Sequence, residues 1–511
     1  MSLNARLLPL AATLVIFLVA YAVCYAQYPA MLSTRVIGNL LTDNAFLGIV
    51  AVGMTFVIIS GGIDLSVGSV IAFAGVFIAV TLRDTSLHPL TVFSLLLLLI
   101  ISLISLFACI YSVNYMEHYG AKGSYYALFM LMVAGMNGLV LTTDLFNMYV
   151  FLEVAAVASY ALVAFGQKHD EVEAAFKYLM LSVVATTGIL LAMSFVYLMT
   201  GTFGITDLAY AVKNGMNAQL IGLCLALFLM GFGLKSAMVP FHAWLPDAHP
   251  SAPAPISAML SGVLIKVSGI YALVRVVYNI FGLPPQVSSA LMVLGVLSMV
   301  IGAVVALGQN DYKRMLAYSS ISQIGYIVVG LAIGSPLGIM GALFHLFNHA
   351  TFKSLLFLNA GATEYATGTR DLTKLGGVNN KLPITGFTNT IGTFSIAGVP
   401  PFNGFWSKLI IIVALVEANY IGVAAIAVAT SIITLWYFLQ MQRQAFFGKL
   451  AAGLEKVKEV PFYMALATIC LAALCLLGGL FYPWITTNLI QPGVTSLSNA
   501  IGVNSFINLG Q

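Results

Sequence analysis

The sequence predicts an all-α polytopic membrane protein, and three observations carry that expectation. Only 7% of the 511 residues are charged, against roughly 25% in a soluble domain. Hydrophobic residues make up 60% of the chain, and apolar runs of about 20 residues, each long enough to cross a bilayer, recur from end to end. Prolines and lysines interrupt two of these runs, as expected where a helix breaks at membrane depth. The formal net charge of +4 says little about partners, and no nucleic acid is expected among them. Cys24, Cys109, Cys224, Cys470 and Cys475 lie in apolar runs without metal-ligand spacing and read as buried thiols. The chain shows no phosphate-binding loop, dinucleotide fingerprint or nucleophile elbow, so no cofactor is expected.

Taken in order, candidate spans lie near 8–27, 45–60, 67–82, 91–113, 125–143, 145–166, 174–199 and 218–239. Others follow near 254–281, 286–307, 318–334, 337–359, 383–416 (broken), 418–441 and 461–482, with a weak last segment near 494–509. The count is 14–16 transmembrane helices. The first run reads as a span and not a cleaved signal, because further spans follow it. Alternating the spans puts Lys122, Lys168, Lys177, Lys313, Arg314, Arg370, Lys374, Lys381, Arg443, Lys449, Lys456 and Lys458 on one side. The other side receives Arg35, Arg83 and Lys213, so the first side is expected to be cytoplasmic.

The stretch GFGLKSAMVPFHAWLPDAH, from Gly231 to His249, organises the rest. Lys235 sits inside its apolar run, and Pro240 breaks the helix just after it. The next helix carries Lys266 fourteen residues in, near the bilayer centre at about 1.5 Å per residue. A second break, at Pro400 and Pro401, precedes Lys408. Paired interrupted helices in corresponding halves point to an ion site. Glu153 lies in another apolar run, either paired with a buried ammonium or serving as a plain helix–helix salt bridge. His345 and His349 share one helical face, with Lys353 a turn further on. Two histidines without a third ligand fit a proton relay better than a metal site, with satisfied core histidines as the bland alternative. Asp144, Asp247 and His242 fall at helix ends near water, and Asp311, Lys313 and Arg314 read as a cytoplasmic loop of positive-inside anchors.

Two resemblances follow from longer stretches. Residues 51–79, with the run SGGIDLSVGS, and the preceding TRVIGNLLTDNAFLGI resemble sugar-type ABC transporter permeases. From about Thr91 the chain resembles the antiporter-like subunits of respiratory complex I, membrane-bound hydrogenases and Mrp cation/proton antiporters. DLFNMYVFLEVAAVASYALVAFG from Asp144, LKSAMVPFHAWLPDAHPSAPAPISAMLSGVLIKVSGIYALVR from Leu234 and NDYKRMLAYSSISQIGY from Asn310 carry that resemblance. HLFNHATFKSLLFLNAG from His345 and GVPPFNGFWSKL from Gly398 complete it. The expected organisation is therefore a permease-like three-helix segment over 1–88, a peripheral helix at 91–124, five-helix repeats at 125–281 and 286–441, and C-terminal helices at 442–511.

The second resemblance implies inverted repeats, translocation of protons or of Na⁺ against protons, and a cytoplasmic-membrane location. It names Lys235 as the partner of Glu153, marks His349 as the central relay, and makes Lys408 the terminal site, where some relatives use Glu. The implied partners are other membrane subunits of a complex I-like, hydrogenase or Mrp assembly, which would hold any redox cofactor. Two other readings stay open: a sugar ABC permease subunit, resting on residues 1–88, and a non-transporting structural subunit.

Overall fold

The computed structural model describes residues 89–214 and 217–504, together with Val19. The three permease-like spans and Asp64 lie outside the described residues. Ten described helices are long and apolar enough to cross a membrane. In chain order the helices are α1 (Pro89–Tyr115), α2 (Lys122–Leu141), α3 (Leu145–Val163) and α4 (His169–Thr200). Next come α5 (Ile205–Lys213), α6 (Ala218–Lys235), α7 (Leu245–Ser251) and α8 (Ala254–Ile280). The second half holds α9 (Pro285–Leu307), α10 (Tyr312–Ile333), α11 (Pro336–Thr367), α12 (Pro383–Ala397), α13 (Asn403–Glu417) and α14 (Ile421–Phe446). The last two are α15 (Phe462–Leu480) and α16 (Gln491–Asn504).

The expected spans and the helices agree to within a few residues, with two instructive differences. The run at 337–359 is α11, and the broken run at 383–416 is α12 followed by α13; neither is among the ten. The halves of the broken helix are each too short to cross alone. α11 is long enough but carries His345, Asn348, His349, Lys353 and Asn359, all fully buried. A helix surrounded by other helices can hold polar groups that lipid would reject. α8, which packs against α11, is likewise buried along its whole length. Peripheral α4, α14 and α15 instead expose large apolar side chains, such as Phe176, Leu198, Trp436 and Phe462.

The sequence placed the segment after α4 in a loop, yet it forms α5, a short amphipathic helix. Its buried residues Ile205, Leu208 and Val212 recur at helical spacing, while Tyr210 stays exposed.

One local structure occurs twice. Asp144 caps α3 by accepting from the Asn147 amide at 2.8 Å, and its backbone bridges to Gly204 just beyond α4. Asp311 caps α10 by accepting from the Arg314 amide at 2.9 Å, and bridges to Asp371 just beyond α11. Both bridges recur at a shift of 167 positions, from 144 to 311 and from 204 to 371. The two helices that lead into them, α4 and α11, each have 32 residues. Both end in Thr-Gly-Thr, with Gly201 and Gly368 in the left-handed conformation that closes a helix C-terminus. The Thr200 hydroxyl donates back to the Val196 carbonyl at 2.8 Å, and Thr367 does the same to Thr363 at 2.7 Å.

Candidate functional site

α6 ends at Lys235 because the following backbone cannot continue it. Ala237 is left-handed, and Pro240, joined through a cis bond, has no amide hydrogen. The polar groups released at this break find partners. The Leu234 carbonyl accepts from the Trp244 indole at 2.9 Å, and the Val239 amide donates to the Ser298 hydroxyl at 2.9 Å. The break is thus closed by protein and needs no lipid contact.

Lys235 is almost fully buried, and its ammonium donates to the Ser182 hydroxyl on α4. Glu153 on α3 approaches to 3.6 Å, an ion pair slightly too long for a hydrogen bond. The Tyr160 hydroxyl also donates to Ser182, so that oxygen accepts from two groups. An aromatic wall backs the site: Tyr160 meets Tyr178 edge-on with centroids 4.6 Å apart, and Tyr178 stacks on Trp244 at 4.1 Å. The Ser159 hydroxyl donates to the Tyr178 hydroxyl at 3.1 Å.

Lys266 on α8 is fully buried, and its ammonium turns back on its own helix. It donates to the carbonyls of Ser261 at 2.5 Å and Gly262 at 2.7 Å. From Leu260 to Tyr271 the helix has π-type bonding, whose wider turn leaves carbonyls available to such a donor. α8 and α6 meet closely one residue after Lys235 and one turn after Lys266. A Cβ at Gly269 would stand 2.6 Å from the Ser236 backbone nitrogen, so only glycine permits this approach.

His345 and His349 lie a turn apart on α11 with ring centroids 6.4 Å from each other. One nitrogen of His345 is 2.9 Å from the Ser407 hydroxyl, and the other is 3.2 Å from Gln323 Oε1. Neither nitrogen of the fully buried His349 has a hydrogen-bond partner among the described residues. Lys266 and Lys353 act electrostatically on His349, and Lys408 and Lys266 act on His345.

The second break is built differently. Gly398 is left-handed, the Pro400–Pro401 bond is cis, and Lys408 follows the break on α13. Its ammonium donates to the Ile396 carbonyl at 2.8 Å and to Ser431 at 3.3 Å, and it sits 5.0 Å from the Tyr326 ring centre.

The structure therefore brings Glu153 to Lys235, His345 to His349, and His345 to the residue before Lys408. Asp144 and Asp247 sit at helix ends as expected, and Asp247 pairs with Lys177 and Arg314 at 3.2 Å each. Lys313 departs from its expected role as a loop anchor. It lies in the first turn of α10, is buried, and pairs with Glu364 at 3.0 Å while donating to the Ala252 carbonyl at 3.2 Å. Chain tracing missed this because Glu364 arrives from the far end of α11. The sequence also gave no role to Ser182, Tyr160, Gln323, Ser407 or Ser431, since single neutral residues in apolar helices carry no pattern. Lys353 was visible as a further turn of the histidine stripe. It is fully buried, with its ammonium on the Leu316 carbonyl at 2.7 Å.

Among the described residues no three His, Cys, Asp or Glu side chains converge as a metal-holding group. What the arrangement offers is a set of buried cationic or titratable groups, most of them facing neutral oxygens and only one facing a carboxylate. Buried charge of this kind is costly and, inside a membrane, characterises ion and proton pathways.

Fold and site together define a class: a multi-pass helical membrane protein with ionisable groups buried around two interrupted helices. Residues 142–434 match the family described as NADH:quinone oxidoreductase/Mrp antiporter, transmembrane, and the chain belongs to it as an antiporter-like membrane subunit. It is 37% identical over 412 residues to NADH-quinone oxidoreductase subunit N of Desulforudis audaxviator, covering 77% of this chain and 82% of that one. It is 34% identical over 389 residues to an Na(+)/H(+) antiporter protein of Alkalihalophilus pseudofirmus, covering 76% and 78%. A chain in the structure of the Mrp complex from Dietzia superposes with a TM-score of 0.80 at 26% identity, covering 90% of this chain and 99% of that one.

Proposed function

We propose that the chain translocates protons, or exchanges Na⁺ for protons, across the cytoplasmic membrane as one subunit of a redox-driven or Mrp-type complex. Other membrane subunits are its partners, and any redox cofactor belongs to them. The observation that carries this reading is the burial of Lys235, Lys266, His345, His349 and Lys408 among protein groups inside a membrane bundle, with Glu153 as the single carboxylate beside them. In the relay, Glu153 modulates Lys235, Lys235 shares a proton with Lys266, the histidines carry it on, and Lys408 releases it. Repulsion between successive cations couples the steps, because water is largely excluded and the effective dielectric is low. Residues 125–281 and 286–441 are two inverted five-helix repeats in this account, a reading supported by the turn that recurs at a shift of 167 positions.

The test uses membrane vesicles carrying the intact complex. Flux is read with a pH-sensitive dye, and sodium uptake with radiolabelled Na⁺. Flux that depends on Lys408 supports the proposal. Full flux after Lys408 and Lys266 have both been replaced by methionine leaves the chain as a structural subunit.

A further inference from the structure

The recurring turn aligns α4 with α11 residue by residue. At the same shift of 167, Tyr178, Ser182 and Thr186 occupy the positions of His345, His349 and Lys353. All six side chains are buried. The second half thus carries a titratable stripe where the first carries three hydroxyls. The middle hydroxyl, Ser182, is the one that meets a lysine. We infer that Ser182 is a positioning residue that holds the Lys235 ammonium off Glu153, as the first-half counterpart of His349. The inference rests on the translocation reading above and adds a component to it.

The geometry supports this role. The ammonium donates to Ser182 while the carboxylate stands back at 3.6 Å. Glu153 Oε1 has no hydrogen-bond partner among the described residues, although it is shielded from solvent. A charged donor and acceptor left to themselves close to about 2.8 Å. The second acceptor prevents that closure, and Tyr160 keeps the Ser182 oxygen in place by donating to it. A fully closed pair would trap the proton on lysine, whereas an opened pair lets it leave. α3 brings Glu153 and Tyr160 to this lysine, and α4 brings Tyr178 behind Ser182. α8, also packed on α6, carries Lys266, whose ammonium is engaged by its own helix, and Arg275, which lies within 3.3 Å of the Tyr271 hydroxyl.

The test is the pH profile of initial proton flux in vesicles carrying the intact complex, driven by an imposed membrane potential. Ser182→Ala removes the second acceptor, so the ammonium closes on Glu153 and gives up its proton only at higher pH. The profile should move to alkaline pH by about one unit. Ser182→Thr keeps the hydroxyl and should retain the original profile. In a Glu153→Gln background, Ser182→Ala should produce no alkaline shift, because the carboxylate is gone. An unmoved profile, an acid shift, or an alkaline shift that persists without Glu153 overturns the inference. Alanine suits a helix interior; should that variant fail to assemble, Ser182→Cys, a weak hydrogen-bonding group of similar size, carries the same comparison. Absence of Lys408-dependent flux in the unaltered complex would instead defeat the translocation reading itself.

Discussion

The two interrupted helices hold their lysines in opposite ways. Lys235 precedes its break, faces a carboxylate and a hydroxyl, and leaves the exposed carbonyl of Leu234 to an indole. Lys408 follows its break and satisfies the exposed carbonyl of Ile396 with its own ammonium. In the first half, closing the break and holding the charge are separate tasks given to separate residues. In the second, one side chain does both. The first lysine can therefore change its charge state without loosening its helix, while the second cannot.

The largest expected effect follows from that difference. Lys408→Met should lower flux by roughly a hundredfold, as expected when a positioned proton-transfer group is removed. It should also loosen the α12–α13 junction, seen as faster amide exchange there. Unchanged exchange would show that the ammonium is not what satisfies the Ile396 carbonyl.

Next in size is Gly269→Ala. The new methyl would meet the Ser236 backbone, which cannot move aside as a flexible side chain can. We expect a loss of about 3 kcal/mol in stability, measured by thermal unfolding in detergent. Gly222→Ala, with no heavy atom within 4 Å, is the matched control and should unfold like the original. Equal behaviour of the two variants would contradict the close approach of α6 and α8.

Glu153→Gln tests the first half alone. Its side chain is 32% exposed, so the pair is partly screened and worth on the order of 1 kcal/mol, or roughly fivefold in flux. Assembly, read by copurification, should fall less than flux does. Equal loss of both would make the pair structural. The smallest effect belongs to Trp244→Phe, which keeps the stack on Tyr178 but leaves the Leu234 carbonyl without its donor. About 1 kcal/mol of stability should be lost, with flux nearly retained.

Much of this was legible in the sequence, for a physical reason. Lipid imposes long apolar runs, and a lysine or glutamate inside one stands out against them. Lys235, Lys266, Lys408 and Glu153 were therefore visible, as were the proline breaks. The family followed from long motifs around the same residues. Ser182 and Tyr160 were not visible, because a hydroxyl in an apolar helix costs little and matches many buried serines that only bond their own helix, as Ser268 does with Leu264. Lys313 was misread because its partner Glu364 is distant in sequence. The internal correspondence was written in the chain as Thr-Gly-Thr at 200–202 and again at 367–369, but two such triplets mean little until their hydrogen bonds are seen to repeat.

That repeated turn is built almost wholly from neutral donors and acceptors: threonine hydroxyls, backbone amides and a left-handed glycine. Orientation in a membrane is read mainly from lysine and arginine, and aspartate contributes little to it. A Thr-Gly-Thr turn capped by aspartate is therefore blind to which surface it lies on. An odd number of helices puts the start of a copied segment on the opposite surface from the original. Such a turn could be copied upside down within one chain without competing against the charges that fix sidedness, leaving loops such as the one holding Arg370 and Lys374 to declare which face is inside.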